Sequence, residues 1–294
     1  MKKTACDCLK CEDSGVKLSI VSRRRYIQAG LCDCVTVPCP TCKGSGFLLE
    51  GDEMQRDMAI QCPDCEERER RIQFYIGARI PKRFVNSRLQ HEHRDPDNEH
   101  VFDLLTVILQ NLPHFLHGDD LPRPGDELFK GMVLMGPPGS GKTHLMTGFA
   151  YQCTVHYGIS CVFQGFSELL SELRHGYSEG KSDVEIIEPH LRTELLIIDD
   201  LGKGRNTDWE LSILDTLISE RYNRNQLIMA TTNFTEKEED TLSERVLSRD
   251  KGEPDQYVSD TILKRVGERI HSRLREMCYF ENLLGPDRRV SKSL

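Results

Sequence analysis

The segment that most constrains the fold of this chain is residues 136–143. It consists of Gly136, Pro137, Pro138, Gly139, Ser140, Gly141, Lys142 and Thr143. This is the phosphate-loop pattern, and its surroundings fit, since an apolar run precedes it and a helical pattern follows it. The backbone N–H groups of such a loop point at phosphate oxygens, the lysine supplies positive charge, and the threonine hydroxyl ligates Mg²⁺. We therefore expect these eight residues to bind ATP and Mg²⁺.

From residue 131 onward, apolar runs alternate with helical patterns. The predicted strands span 131–135, 160–164, 195–199, 227–231 and 277–280, and the predicted helices span 142–156, 166–175, 208–223 and 258–276. Such alternation indicates a parallel sheet. The run Leu195–Ile198 is apolar at every position, as expected of a strand that is buried on both faces. The predicted fold is α/β, a doubly wound parallel sheet of the P-loop NTPase class.

Two carboxylates follow the predicted strand at 195–199. Asp199 and Asp200 end an apolar run, which is the form of a Walker B element. We expect Asp199 to hold Mg²⁺ through its water shell and Asp200 to act as the base that orients the attacking water. An aspartate at the second position has a shorter reach than a glutamate, which favours slow or partner-stimulated hydrolysis.

Other polar residues complete the predicted site. Asn233 follows the next strand, where its amide can donate to a γ-phosphate oxygen and accept from water; the alternative is an ordinary turn. Arg269 and Arg273 are four residues apart and share one helix face. They are plain solvated arginines in a monomer, whereas in a ring or spiral one of them can reach the neighbouring subunit's nucleotide. We favour Arg273, with Arg269 as the alternative.

The N-terminal region contains eight cysteines that we expect to bind zinc. They form two sequential sets, one of Cys8, Cys11, Cys32 and Cys34 and the other of Cys39, Cys42, Cys62 and Cys65. The gap between the pairs of each set is typical of a four-cysteine zinc site. A nested arrangement that joins the outer pairs is the alternative, and Cys6 can substitute for a neighbour. A redox dithiol lacks the expected βαβ context. Cys153, Cys161 and Cys278 are predicted to be small buried residues.

Composition excludes several classes of protein. The chain has 294 residues and a net charge of −8, and it lacks a long apolar run, so no membrane segment is predicted. Twelve cysteines without an export signal indicate reduced thiols and a cytoplasmic protein. The acidic balance restricts any nucleic-acid contact to a local strip, for which Arg174, Lys203 and Arg205 are candidates, although solvated loop charges are an equal alternative.

The order of these motifs resembles the DnaC/DnaI/IstB-like AAA+ family. The segment Asp199-Asp200-Leu201-Gly202, the pair Asp208-Trp209 and the segment from Arg79 to Phe84 are similar to that family as well. The resemblance extends over about residues 39 to 280. It implies an ATPase that assembles on DNA, either a replicative-helicase loader or a transposition helper. A sensor II arginine is not evident, with Arg288 and Arg289 as candidates, and any helical lid is minimal.

These observations predict three units. Residues 1–70 form a cysteine-rich module with two zinc ions, residues 71–125 form a linker and helical extension, and residues 126–294 form the AAA+ domain. The leading hypothesis is ATP-dependent loading of a replicative helicase onto single-stranded DNA by a self-associating ATPase. The alternatives are an IstB-like transposition helper acting on double-stranded DNA and a nucleotide-gated zinc adaptor with little hydrolysis.

Overall fold

The computed structural model describes residues 8, 10–12, 14–35, 38–51, 57–91, 94, 96, 98–117, 131–236, 261–285 and 287–288. Within this part of the chain, no helix has both the length and the apolar character needed to cross a membrane. Cys6 lies outside it.

The centre of the molecule is a five-stranded parallel sheet with the strand order β6-β7-β8-β5-β9. Its strands are β5 (Gly131–Met135), β6 (Cys161–Gly165), β7 (Leu195–Asp199), β8 (Leu227–Thr232) and β9 (Cys278–Asn282). Every residue of β5, β7 and β8 is buried, as their apolar sequences predict. Because the strands are parallel, their carboxyl ends meet along one edge of the sheet, where the predicted site residues lie.

Helices cover both faces of the sheet. They are α1 (Pro63–Gly77), α2 (Glu99–His117), α3 (Lys142–Tyr151), α4 (Phe166–Ser178), α5 (Asp183–Arg192), α6 (Asp208–Asn223), α7 (Ile262–Val266) and α8 (Glu268–Met277). Successive residues of β5 face opposite sides, so Met132 and Leu134 pack with α1, α2 and α3, whereas Val133 and Met135 pack with α4 to α8. The predicted doubly wound α/β fold is confirmed.

Three elements differ from the sequence prediction. The predicted helix at 142–156 is α-helical only to Tyr151 and continues as a π-helical turn over Gln152–His156. The described part of the predicted helix at 258–276 is divided at Gly267, whose φ of 82° is unfavourable for a residue with a Cβ. Helix α5 was not predicted, although Ser182 and Glu185 form a capping box at its start.

Two antiparallel hairpins precede the sheet domain. The first is β1 (Val16–Ser19) with β2 (Gln28–Leu31), and the second is β3 (Phe47–Gly51) with β4 (Asp57–Gln61). Helix α1 starts immediately after Cys62 with Pro63 at its first position, where proline is well tolerated. It continues without a break across residue 70, the predicted module boundary, and the carbonyl of Ala78 that follows it accepts a hydrogen bond from the backbone N–H of Phe163 in β6 (2.9 Å).

Candidate nucleotide and metal sites

The phosphate loop connects β5 to α3. Gly136, Gly139 and Gly141 have φ values of 143°, 89° and 105°, which side-chain-bearing residues rarely adopt. A Cβ on Gly136 would lie 2.3 Å from the carbonyl oxygen of Leu283. Glycine is therefore required at Gly136 for close packing as well as for the turn. The loop ends at the N-terminus of α3, a location that favours anions.

Two side chains of the loop are suited to phosphate. The Lys142 ammonium is buried and donates hydrogen bonds to the carbonyl oxygens of Gly136 (2.7 Å) and Pro137 (2.8 Å). The Ser140 hydroxyl is also buried, and it finds no hydrogen-bond partner among the described residues. A buried cation and a buried hydroxyl beside a helix N-terminus fit the phosphates of a nucleotide.

The Walker B carboxylate lies beside the loop. The Thr143 hydroxyl donates to Asp199 Oδ1 at 2.8 Å, so two hard oxygen donors are already adjacent, as Mg²⁺ requires. Burial raises the pKa of Asp199, while hydrogen bonds from the Thr231 and Thr143 hydroxyls oppose that rise because they stabilise the carboxylate. The residues present fit an ATP-bound Mg²⁺ ion.

Asp200 leaves the strand in a left-handed conformation, with a φ of 58°. Its carboxylate Oδ2 lies 2.7 Å from the Lys203 ammonium. Asn233 is half-buried just after β8. Since β8 lies between β7 and β5, Asn233 emerges at the same sheet edge as Asp199 and the phosphate loop. The structure thus brings the predicted base, the predicted sensor and the loop to one edge.

Arg273 and Arg269 lie together on α8 and contact the same acidic residue of α6. Arg273 Nη1 lies 2.8 Å from Asp215 Oδ1, and Arg269 Nη1 lies 3.6 Å from Asp215 Oδ2. The Arg269 side chain is 74% exposed and that of Arg273 only 22%. Both arginines are therefore paired within the subunit, and Arg269 is the more accessible.

The described C-terminal residues lie against the phosphate loop. The backbone N–H of Arg288 donates to the carbonyl oxygen of Gly139 at 3.0 Å, and the Asp287 carboxylate packs on the same glycine. The Arg288 side chain passes beside Gly141. Sequence reasoning considered Arg288 only as a candidate, and the structure places it at the loop. Arg289 lies outside the described residues.

The cysteines form two clusters, each with all four sulfur atoms within 4.8 Å of one another. They match the sequential sets rather than the nested ones. The closest sulfur pairs are Cys8–Cys32 (3.8 Å), Cys11–Cys34 (3.4 Å), Cys39–Cys62 (3.8 Å) and Cys42–Cys65 (3.7 Å). Tetrahedral zinc with bonds of about 2.3 Å requires sulfur separations of about 3.8 Å. The geometry fits one zinc ion in each cluster.

Local hydrogen bonds lower the pKa of some of these cysteine thiols. At Cys42, burial acts to raise the pKa, but backbone N–H groups of Gly46 and Gly44 prevail and lower it to about 6. At Cys8, the backbone N–H of Lys10 lowers the pKa to about 7. The thiolate is the form that binds metal. Cys153, Cys161 and Cys278 are buried in the sheet domain, as predicted.

Sequence reasoning missed two residues that contact the predicted site. Thr231 donates a hydrogen bond to Asp199, and Asp215 pairs with both candidate arginines. Thr231 precedes Asn233 by two residues, but its contact with Asp199 depends on the pairing of β7 with β8. Asp215 lies within α6, and nothing in its spacing indicates which residues pack against it.

Fold and site together define a P-loop ATP-binding protein of the AAA+ class. Residues 127–250 match the family model described as IstB-like ATP binding protein. The crystal structure of the DnaC helicase loader superposes with a TM-score of 0.50 and 26% identity, covering 68% of this chain and 98% of that chain. The predicted resemblance to the DnaC/DnaI/IstB-like family is confirmed.

Alignments with curated relatives cover different shares of this chain and of the relatives. The uncharacterized protein YqaM of Bacillus subtilis is 21% identical over 84% of this chain and 80% of its own length. A putative insertion sequence ATP-binding protein of Sinorhizobium fredii is 33% identical over 35% of this chain and 33% of its own length. The replicative helicase loader DnaC of Escherichia coli is 24% identical over 40% of this chain and 48% of its own length. The last two alignments thus cover no more than about half of those proteins.

Proposed function

We propose that this chain is an ATPase that loads a replicative DNA helicase onto single-stranded DNA. The similarity to the DnaC helicase loader, which extends over 98% of that structure, carries the proposal. The apposition of Thr143 and Asp199, which suits ATP-bound Mg²⁺, supports it. Two clusters suited to zinc form an additional N-terminal region that can contact a partner.

The residues have distinct roles in this proposal. The phosphate loop and Lys142 bind the phosphates, and Thr143 with Asp199 binds Mg²⁺. Asp200 orients the attacking water, and the Asn233 amide donates a hydrogen bond to the γ-phosphate. The ion pair between Asp200 and Lys203 occupies one carboxylate oxygen, which supports slow hydrolysis until a partner displaces Lys203. Single-turnover hydrolysis should fall by about 100-fold or more in Asp200→Asn. A rate unchanged or raised in that variant would contradict the assignment.

Arg273, with Arg269 as the alternative, completes the neighbouring subunit's site in a ring or spiral. Its present partner is Asp215, so it must leave that carboxylate to act in trans. Mixing Lys142→Ala subunits with Arg273→Ala subunits tests this role, because each supplies what the other lacks. Activity recovered by mixing supports a shared site, whereas additive residual activity contradicts it.

Single-stranded DNA can contact the surface where α4 meets α6. The Arg174 guanidinium lies 5.0 Å from the centre of the Trp209 ring, and the Trp209 indole N–H donates to the Tyr177 hydroxyl at 3.2 Å. Aromatic rings stack on bases and guanidinium groups contact phosphates. Lys203 lies nearby, since its carbonyl oxygen accepts a hydrogen bond from Ser167 at the start of α4.

The helicase contact is assigned to the second cysteine hairpin. Phe47 and Leu49 point to the same face of β3 and are 58% and 70% exposed. Exposed apolar residues grouped on one face indicate a protein contact more often than scattered ones do.

Co-purification with the host replicative helicase tests the loading function. Wild-type protein with ATP should retain the helicase and transfer it to a single-stranded oligonucleotide, whereas Lys142→Ala should not complete the transfer. Absence of association with the helicase, both with ATP and without it, would remove the loading proposal.

A transposition helper is the second candidate. The match of residues 127–250 to the IstB-like model and the 33% identity to an insertion sequence ATP-binding protein favour it. Fluorescence anisotropy with single- and double-stranded oligonucleotides across a salt series separates the two. Preference for the single strand supports loading, preference for the duplex supports the helper, and binding without salt dependence contradicts phosphate contact in both. If the protein binds ATP but does not hydrolyse it, the nucleotide-gated zinc adaptor is the remaining candidate function.

A further inference from the structure

We infer that Thr231 is a positioning residue of the nucleotide site and that its hydroxyl fixes both aspartates of the Walker B pair. The inference rests on the proposed binding of ATP and Mg²⁺ at this site. Thr231 belongs to β8 and is fully buried beside β7. Its hydroxyl donates to Asp199 Oδ1 at 2.6 Å and accepts from the backbone N–H of Asp200 at 3.0 Å.

The direction of these bonds follows from the number of protons. A threonine hydroxyl has one proton, and the N–H of Asp200 occupies a lone pair of its oxygen, so the proton is left for the Asp199 carboxylate. The bond therefore fixes the position of Asp199 Oδ1, the same carboxylate oxygen that accepts from Thr143.

The same residue holds the turn that follows β7. The carbonyl oxygen of Thr231 accepts the backbone N–H of Leu201 at 2.7 Å, so Asp199, Asp200 and Leu201 are all bonded to it. Asp200 has a φ of 58°, a conformation that costs energy for a residue with a side chain and persists only where its surroundings enforce it. Thr231 thus sets the side-chain position of the first aspartate and the backbone direction of the second.

Thr143 donates to the same Asp199 oxygen, at 2.8 Å. Its hydroxyl is also the proposed ligand of Mg²⁺, which engages its oxygen for the metal. Thr231 is not placed to ligate the metal, because it is buried within the sheet. It is therefore the donor that orients Asp199 independently of the nucleotide state.

Binding of a fluorescent ATP analogue, with Mg²⁺ and with EDTA, tests the inference. Thr231→Val keeps the shape and removes the hydroxyl. We expect the gain in affinity from Mg²⁺ to fall by about tenfold, the loss typical of one hydrogen bond to a charged group, with the affinity in EDTA unchanged within about twofold. Thr231→Ser should restore the Mg²⁺ response.

Thr232→Val is the matched control. Thr232 is equally buried on the same strand, and its hydroxyl donates to the Leu201 carbonyl (2.9 Å) instead of to a carboxylate. It should bind like the wild type. An unchanged Mg²⁺ response in Thr231→Val, or an equal loss in Thr232→Val, would overturn the inference. Failure of the wild-type protein to bind the analogue at all would instead contradict the proposed function.

Discussion

The two cysteine hairpins have similar sequences but different surroundings. In the first, Val16 and Ile27 are buried in the core that also contains Tyr75 of α1, and the backbone N–H of Ile27 donates to the Ile80 carbonyl at 2.9 Å. In the second, Leu48 packs on the cysteine cluster, while Phe47 and Leu49 are exposed. A metal-site pattern therefore predicts a local turn but not whether that turn is fixed to the neighbouring domain.

Because of this difference, we propose that residues 1–70 do not form a single module. In the division that we propose, the first hairpin belongs with the sheet domain, and the second is the part available to a partner. Glu12 supports this division, because its carboxylate lies 3.2 Å from Arg88 Nε, and the Arg88 guanidinium stacks on the ring of Tyr151, 3.7 Å from its centre. Tyr151 is the last residue of α3, the helix that starts at the phosphate loop.

Loss of the first metal site should have the largest effect on stability. In Cys11→Ser, we expect the free energy of unfolding of the sheet domain to fall by about 3 kcal/mol or more, because a structural zinc ion contributes strongly to folding. Cys42→Ser in the second cluster should leave the main thermal transition within about 2 °C of the wild type. Metal analysis should give one zinc ion fewer in each variant. Equal changes of melting temperature in the two variants would show that the hairpins are equivalent.

The apolar contact of the first hairpin should have the next largest effect on stability. Ile27→Ala removes a buried side chain and should cost about 2–5 kcal/mol by denaturant unfolding. Leu49→Ala, in the second hairpin, removes an exposed side chain and should stay within about 0.5 kcal/mol. A small loss in Ile27→Ala would mean that the first hairpin can separate from the domain without cost.

The ion pair across the first hairpin contributes less. Glu12→Gln keeps a hydrogen-bond acceptor near Arg88 and should cost about 1 kcal/mol, since both side chains are largely buried but not fully enclosed. Asp33→Asn, which alters the exposed pair with Lys17 at 3.0 Å, is the control and should cost less than Glu12→Gln, because solvent screens an exposed ion pair. Both values are measured by urea unfolding, and a larger loss for Asp33→Asn would refute the proposed importance of the Glu12 contact.

The sheet domain could be predicted from the sequence because short contiguous segments specify its strands and motifs. The apolar run before Asp199 specifies a buried strand, and the motifs at strand ends give the edge where the site forms. Spacing predicted the two cysteine sets but left a nested pairing open, which the positions of the sulfur atoms exclude. The bonds of Thr231 and Asp215 could not be predicted, since they depend on the register between strands and on the packing of α6 against α8. Helix α5 was missed because Pro189 interrupts its pattern, although its capping box is visible in the sequence.

Substitutions on the exposed face of the second hairpin should have the smallest effect on stability. They should have the largest effect on binding of the proposed partner. The double variant Phe47→Ser with Leu49→Ser should melt like the wild type and keep its affinity for ATP, because both side chains are exposed. Its retention of the proposed partner, the replicative helicase, should fall by more than about tenfold, since apolar anchors at the centre of an interface carry much of its binding energy. Ile20→Ser with Val21→Ser, two exposed residues near the tip of the first hairpin, is the matched control. Undiminished helicase retention in the Phe47 and Leu49 variant, or an equal loss in the control, would place the partner contact elsewhere and leave the two hairpins distinguished only by how they pack.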